Sequence, residues 1–517
     1  MTASDRSTRP GFLAEHRRRK PSASAAIRQG LSHPVIDTDL HTLEFAPLLE
    51  EHIDAVGGST AVDGFRRIVG GGHGVRGFGA SDWYGQTAEE RRDRRSVRPP
   101  WWSLPTKNTL DLATVALPEL LHERLEESGT DFAVLYPNAV TMAVAIGDSD
   151  LRRAVTRAMN NYNAEVYRPY ADRVTPVAAI PLHTPEEGIE ELEHAVGTLG
   201  LKAALIPGYV RRPIADLARR YPAAEHPDIA RHAFWLDTLG LDSAHDYDPF
   251  WAKLVELKVA PTTHASGQGW TARSTPSNFM YNHIGHFADA AHAFAKSLFF
   301  GGVTRRFPTL RFGFLEGGAG WGVSLLADIV GHWEKRNKDA IANYDPAAID
   351  HALLARLFRE HGGDLLRGRD YDDAALVRTA LSGPTGILLH PQQDVPLDEF
   401  AAAGVGSMPD ILDRFVPNFY FGAEADDATV AHAFNTKVNP GGVRLNAFWA
   451  SDAGHWDVPD LTRVLAETWE LVERGALTER DFQDLVFTNP HRFYTDANPD
   501  FFKGTAVEAK LAQRRAA

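Results

Sequence analysis

From His33 onward, short β-branched or apolar runs alternate with amphipathic helical stretches, and that alternation leaves few folds open. A strand, a helix and a further strand in succession require a crossover, which lays the strands parallel in one sheet with helices over its faces. The strand-like runs fall at residues 35–40, 132–136, 174–180, 202–206, 259–264, 310–315, 418–421 and 447–451. Eight parallel strands are what a barrel requires, so the expected fold is α/β, a distorted TIM (β/α)8 barrel. Its spacing is uneven, with long insertions after strands 1 and 6 at about 54–110 and 337–417. The barrel domain is expected over residues 33–517, and residues 1–32 as a disordered or extended N-terminal arm.

Helix signals support this reading. Thr184-Pro185-Glu186-Glu187 supplies an N-cap, a proline in the first turn and a capping-box glutamate. Ile189, Leu192, Ala195, Val196 and Leu199 then make one apolar face, and Gly200 ends it. A second helix is expected over residues 461–474 with Gly475 as its stop, and a third opens at Thr478 with Asp481 three residues on.

Composition removes several kinds of chemistry. No cysteine is present, so disulfides and thiolate ligands are excluded and any metal must be held by imidazole and carboxylate. The formal net charge of −14 disfavours nucleic-acid and anionic-membrane partners, both of which need basic surface. No apolar run approaches a membrane span, and the Arg17-Arg18-Arg19-Lys20 arm lacks the apolar core of a secretory signal, so the expected location is cytoplasmic.

The chemistry-bearing residues lie where strands end. In Val35-Ile36-Asp37-Thr38-Asp39-Leu40-His41, residues two apart share a face, so Asp39 and His41 can meet one ion. His264 ends Val259-Ala260-Pro261-Thr262-Thr263, and Asp452 ends Phe448-Trp449-Ala450-Ser451. A single Asp-x-His or strand-end histidine is an ordinary structural feature. Polar residues ending a first, a middle and a last apolar strand together make a metal site, because barrel active sites draw their groups from strand ends.

The pattern Ile36-Asp37-x-Asp39-x-His41-x-x-Glu44, with Arg306-Phe307-Pro308-x-Leu310, Glu316-Gly317-Gly318 and Ser451-Asp452-x-x-His455, resembles the amidohydrolase-related family. Asp172-Arg173-Val174, Ile180-Pro181-Leu182 and Leu199-Gly200-Leu201-Lys202 fit the same resemblance, which runs from about His33 to Tyr494 and is weakest in the insertions. Relatives of aminocarboxymuconate-semialdehyde decarboxylase and the resorcylate-type decarboxylases belong to that group. The resemblance implies one divalent ion held by Asp39, His41, His264 and Asp452, commonly zinc or manganese, with iron or magnesium as further options. It also implies that His455 binds substrate or supports the metal shell.

One departure stands out. The decarboxylases carry a catalytic histidine at the end of strand six, where this chain has Glu316, either a proton-transfer group or an orienting one. His283 and His286, expected on one helical face after His264, are candidates to supply the missing imidazole, and Asp452 is the candidate base. Two reactions follow: hydrolysis of an amide, ester, lactone or activated C–C bond, or non-oxidative decarboxylation of a small, aromatic or other, carboxylic acid. The missing histidine tips the reading to hydrolysis. A catalytically inactive binding barrel is the remaining alternative, and all four ligands being present speaks against it.

Gly72-x-Gly74-x-x-Gly77 matches a dinucleotide fingerprint only formally, since no strand precedes it. Trp83, Tyr84, Trp101, Trp102, Trp270 and Trp321 are loop or strand-end aromatics, and Trp321 is the one placed with the substrate. The basic run 91–98 reads as a solvated or subunit-contact surface. The expected partners are a small-molecule substrate and further copies of the chain, as a dimer or larger homo-oligomer.

Overall fold

A computed structural model describes residues 21–69, 80–99, 107–264, 274–345, 348–380 and 397–516. Contacts divide the chain into a main unit, residues 1–326 with 414–517, and a helical unit, Ala327–Asp413. The helical unit has its own small core, in which Ala355, Leu376 and Val377 are buried beneath Leu354, Phe358 and Leu366.

Eight parallel strands organise the main unit: β1 (Ile36–Thr42), β2 (Phe132–Pro137), β3 (Val174–Ala179), β4 (Ala203–Ile206), β5 (Pro261–Thr263), β6 (Phe312–Phe314), β7 (Phe419–Ala423) and β8 (Asn446–Trp449). They pair in chain order from β1 to β8. Each is buried along its whole length, as strands in a parallel sheet covered on both faces must be. The expected strands match these to within a few residues at each end. An antiparallel ribbon, Val210–Pro213 with Phe234–Asp237, is added after β4.

No ladder joins β8 to β1. The seam is closed instead by the segment that follows β8, whose Asp452 N donates to Asp39 O (3.0 Å) while His41 N donates to Ala453 O (2.9 Å). Thr38 Oγ donates to Trp449 O (2.7 Å) across the same gap. Asp37 Oδ1 accepts both Ser451 N (3.0 Å) and Asp39 N (3.2 Å). The second bond spans an irregularity in β1 between Asp37 and Leu40, and such bulges re-aim the side chains that follow. Gly454 (φ 107°) completes the turn, and a side chain there would meet His41 O at 2.5 Å.

Several expectations need correcting. Residues 23–30 of the arm are helical: Ser22 caps Ala25 N, and buried Ser24 Oγ accepts Leu465 N (3.1 Å) and Ala466 N (3.2 Å). Those partners give the segment a surface to fold against, which composition alone does not show. The boundary at 54 falls inside a helix, Ala46–Val69, broken only at Gly58 (φ 68°). The helix expected from 461 runs Val464–Glu473, because the Asp460 carboxylate captures Thr462 N (3.0 Å) in a tight turn first. The helix opened by Thr184 runs Pro185–Leu192 and continues as a wider π turn, Glu193–Thr198. Among the described residues, no helix is long and apolar enough to cross a membrane.

Candidate metal centre

Strand ends deliver the site. Asp39 and His41 come from β1, His264 from just beyond β5, Glu316 from two residues beyond β6, and Asp452 from three residues beyond β8. His41 Nε2 lies 3.3 Å from Asp39 Oδ1, 3.3 Å from Asp452 Oδ1 and 3.0 Å from His264 Nε2. His264 Nε2 lies 3.3 Å from Asp39 Oδ2 and 3.2 Å from Glu316 Oε2. All five side chains are buried. Glu316 (φ 56°) and Asp452 (φ 51°) adopt the left-handed region, which costs a non-glycine residue energy and is met where surrounding structure forces a side chain into place.

Two overlapping groups can each surround an ion, with donor atoms all within 4.8 Å of one another. They are Asp39 with His41 and His264, and His41 with Glu316, Asp452 and His455. Neither oxygen of buried Asp39 has a well-formed hydrogen bond, nor has Glu316 Oε2. Several unsatisfied carboxylate oxygens around imidazole nitrogens carry a large desolvation cost that one divalent cation removes at once. The residues present therefore fit a divalent metal, and the donor set of nitrogen and carboxylate oxygen suits zinc or manganese.

The remaining expected residues cluster around this core, with one exception. His455 stacks on His41 (ring centroids 3.6 Å apart), and its Nδ1 lies 2.8 Å from Asp452 Oδ1. His283 Nε2 is 3.9 Å from Glu316 Oε1, with Trp456 against its ring at 5.6 Å. His283 and His286 do not share a helix, which corrects the expectation. His283 ends one short helix (Phe279–His283), Gly285 breaks the chain at φ 76°, and His286 opens the next (His286–Phe300). Their rings still meet, at 4.7 Å. Trp321, placed with the substrate on sequence grounds, instead packs against Phe421 (5.0 Å) and Phe314 (5.4 Å). His292 faces it at 6.3 Å. An aromatic cluster offers an indole more buried contact than a polar pocket does, and that is where Trp321 sits.

Electrostatics mark the same place. Burial raises Asp39, but the charges of His264 and His41 outweigh it and hold its carboxyl below the usual range. Burial, with Asp452 next in weight, pushes Glu316 well up; burial and Asp457 do the same to Asp452. Burial with His455 beside it lowers His41 to about 3, and burial with His264 nearby lowers His455 to about 4. Burial and the neighbouring His283 hold His286 down at about 3. Imidazoles kept neutral are what a metal needs as ligands.

Sequence reasoning missed Glu424, one residue past β7, which burial and then Asp452 push up to about 9. It also missed Asn138, just past β2, whose Oδ1 lies 3.0 Å from His41 Nδ1. The basic run is largely solvated, as expected, with Arg92, Arg94 and Arg95 exposed; at its ends the Arg91 guanidinium lies 3.6 Å from the centre of the Trp83 ring, and Arg98 Nη1 donates to Ser277 O (2.7 Å). Trp101, Trp102, Trp270 and the glycine run 70–79 lie outside the described residues.

A family model described as Amidohydrolase matches residues 125–366. That match covers just under half of the chain. A search of curated proteins finds no match. Among solved structures, this chain is similar to an amidohydrolase from Mycobacterium avium subsp. paratuberculosis K-10, at 15% identity and TM-score 0.51 over 90% of this chain and 100% of that one. That likeness shows the barrel fold. A dihydroxybenzoic acid decarboxylase from Polaromonas sp. JS666, with bound manganese and 2-nitroresorcinol, matches at 15% identity and TM-score 0.44 over 90% of this chain and 97% of that one. A 5-carboxyvanillate decarboxylase from Novosphingobium aromaticivorans DSM 12444, complexed with manganese, matches at 14% identity and TM-score 0.44 with the same coverage.

Proposed function

We propose that the protein is a metal-dependent hydrolase acting on an amide, ester, lactone or activated C–C bond of a small carbonyl or carboxylate substrate. The observation that carries this is the convergence of Asp39, His41, His264 and Asp452, all buried, with carboxylate oxygens lacking hydrogen-bond partners. Bound there, a divalent cation supplies a Lewis acid that polarises a carbonyl oxygen and acidifies water. The chain's own groups do the rest. Asp452, held through Oδ2 by His455 Nδ1 at 2.9 Å, takes a proton from the attacking water. Glu316, between His264 and His283, returns a proton to the leaving group from Oε1, the oxygen facing His283. His283 and His286 hold substrate oxygens on the open side of Glu316. The proposed assembly is a homo-oligomer in the cytoplasm, with the two insertions as its contact surfaces and specificity elements.

Decarboxylation is a second reading, favoured by one observation. Burial and neighbouring carboxylates favour the protonated form of Glu316, and an acid at that place is what protonates the carbon that loses CO2. Metal analysis of the purified protein beside His264→Ala and Asp452→Asn tests the site common to both readings. About one equivalent of zinc, manganese or iron in the wild type, absent from both variants, is expected; a wild type that neither retains nor takes up metal would sink it. With the loaded protein, CO2 release from hydroxybenzoic acids against turnover of aryl esters and lactones then separates the two reactions.

A further inference from the structure

We propose that Glu44 and Asn138 are positioning residues that act in series on the metal ligand His41, fixing which of its nitrogens faces the ion. The inference rests on the metal site proposed above. It starts from the pairing of β1 with β2, in which His41 lies opposite Tyr136 and Thr42 opposite Pro137. Two parallel strands in that register leave together, so Asn138, the residue after Pro137, emerges beside the ring of His41. Asn138 Oδ1 is 3.0 Å from His41 Nδ1. An amide oxygen only accepts, so Nδ1 carries the hydrogen and Nε2 keeps its lone pair. Nε2 is the atom that faces Asp39, His264 and Asp452.

Asn138 is itself held. It begins a short helix, Asn138–Ala143, with no side-chain cap from the residue before it. The cap comes from across the seam of the two strands: Glu44 Oε1 accepts Ala139 N at 2.7 Å. The loop carrying Glu44 is pinned on both sides, since Leu43 N donates to Val115 O (2.9 Å) and Phe45 N donates to Tyr162 Oη (2.9 Å). The order of dependence is then explicit. The β1 loop fixes Glu44, Glu44 fixes the start of the helix, the helix start fixes the Asn138 amide, and the amide fixes the His41 tautomer. Neither residue touches the ion's donor atoms, and both are needed for a preorganised ligand.

The test is metal affinity, measured with Mn2+ alone by competition against a chelating dye, beside the melting temperature of the metal-free protein. Asn138→Ala and Glu44→Ala are each expected to weaken Mn2+ binding about ten- to hundredfold, and the double variant no more than the weaker single one. Asn138→Asp keeps an acceptor in place and is expected to bind within about threefold of wild type. It also covers the case in which Asn138→Ala fails to fold, because loss of affinity in the folded Asp variant contradicts the proposal. Unchanged affinity in Asn138→Ala, or equal weakening by Ala and Asp, overturns it while leaving the metal site intact. A wild type that binds no Mn2+ overturns the metal site itself.

Discussion

Glu424 shows what one carboxylate does in this setting. It ends the run Phe419–Ala423, and burial with Asp452 close by lifts it to about 9 from an ordinary value of 4.5. A carboxyl raised on folding binds its proton more tightly in the folded state. Its contribution to stability is therefore complete below the unfolded value and is lost as pH rises through the folded one. The metal-free protein should accordingly melt at progressively lower temperature from about pH 5 to pH 9. Glu424→Gln should flatten that slope and raise the melting temperature at pH 8, which scanning fluorimetry at a series of pH values will read. Added metal should oppose the trend, since a cation favours the ionised carboxylates around it. This residue was legible in principle: a polar side chain ending an apolar strand is the rule that found Asp39, His264 and Asp452. It escaped because the strand was read as ending at 421, and a two-residue error moved Glu424 into a loop. Asn138, one residue past the apolar β2, carried the same signal but gave no hint of its partner. Only the register of two strands, a long-range property, puts it beside His41.

At the scale of elements, Asp131 gathers both ends of the described chain at the start of β2. Its Oδ2 accepts Val35 N (2.8 Å) and Arg28 Nε (2.6 Å), and its Oδ1 pairs with Lys510. Arg28 lies in the helix Ala23–Gly30, and Lys510 in the helix Ala506–Ala516. Asp131 is almost fully buried, so removing it strands two partly buried cations and a backbone donor. Asp131→Ala should cost about 3 kcal/mol in urea unfolding and expose the N-terminal helix to proteolysis before the barrel opens. Glu127→Ala on the neighbouring helix should cost less than half of that, because Arg124 keeps its bond to Asp111 (2.7 Å). The alternation of strands and helices could be read along the chain because all eight strands are short and most are apolar. The helix at 23–30 could not, since Ala23–Gly30 owes its order to Ser24 meeting Leu465 and Ala466, residues more than four hundred positions away.

For the molecule as a whole, metal and fold should be thermodynamically linked. The proposed ligands come from strands at the beginning, middle and end of the barrel, so the unfolded chain holds no comparable site. Mn2+ at a hundredfold excess over its dissociation constant should stabilise the protein by about 2.7 kcal/mol. A chelator should lower the melting temperature by a few degrees, reversibly, and the shift should vanish in His264→Ala. Failure of chelator and metal to move the melting temperature in the wild type would break that link. The seam described above also has a consequence in time. Asp37 and Ser451, whose bond closes the barrel, are 414 residues apart. At a synthesis rate of about 5–20 residues per second, the first ligands wait about 20–80 seconds for the last one to leave the ribosome. Through that interval β1 is a half-finished edge carrying two of the four proposed ligands. With that ligand set, retaining an ion requires synthesis past residue 452, and a ribosome stalled before codon 452 would hold a nascent chain with no complete cage for it.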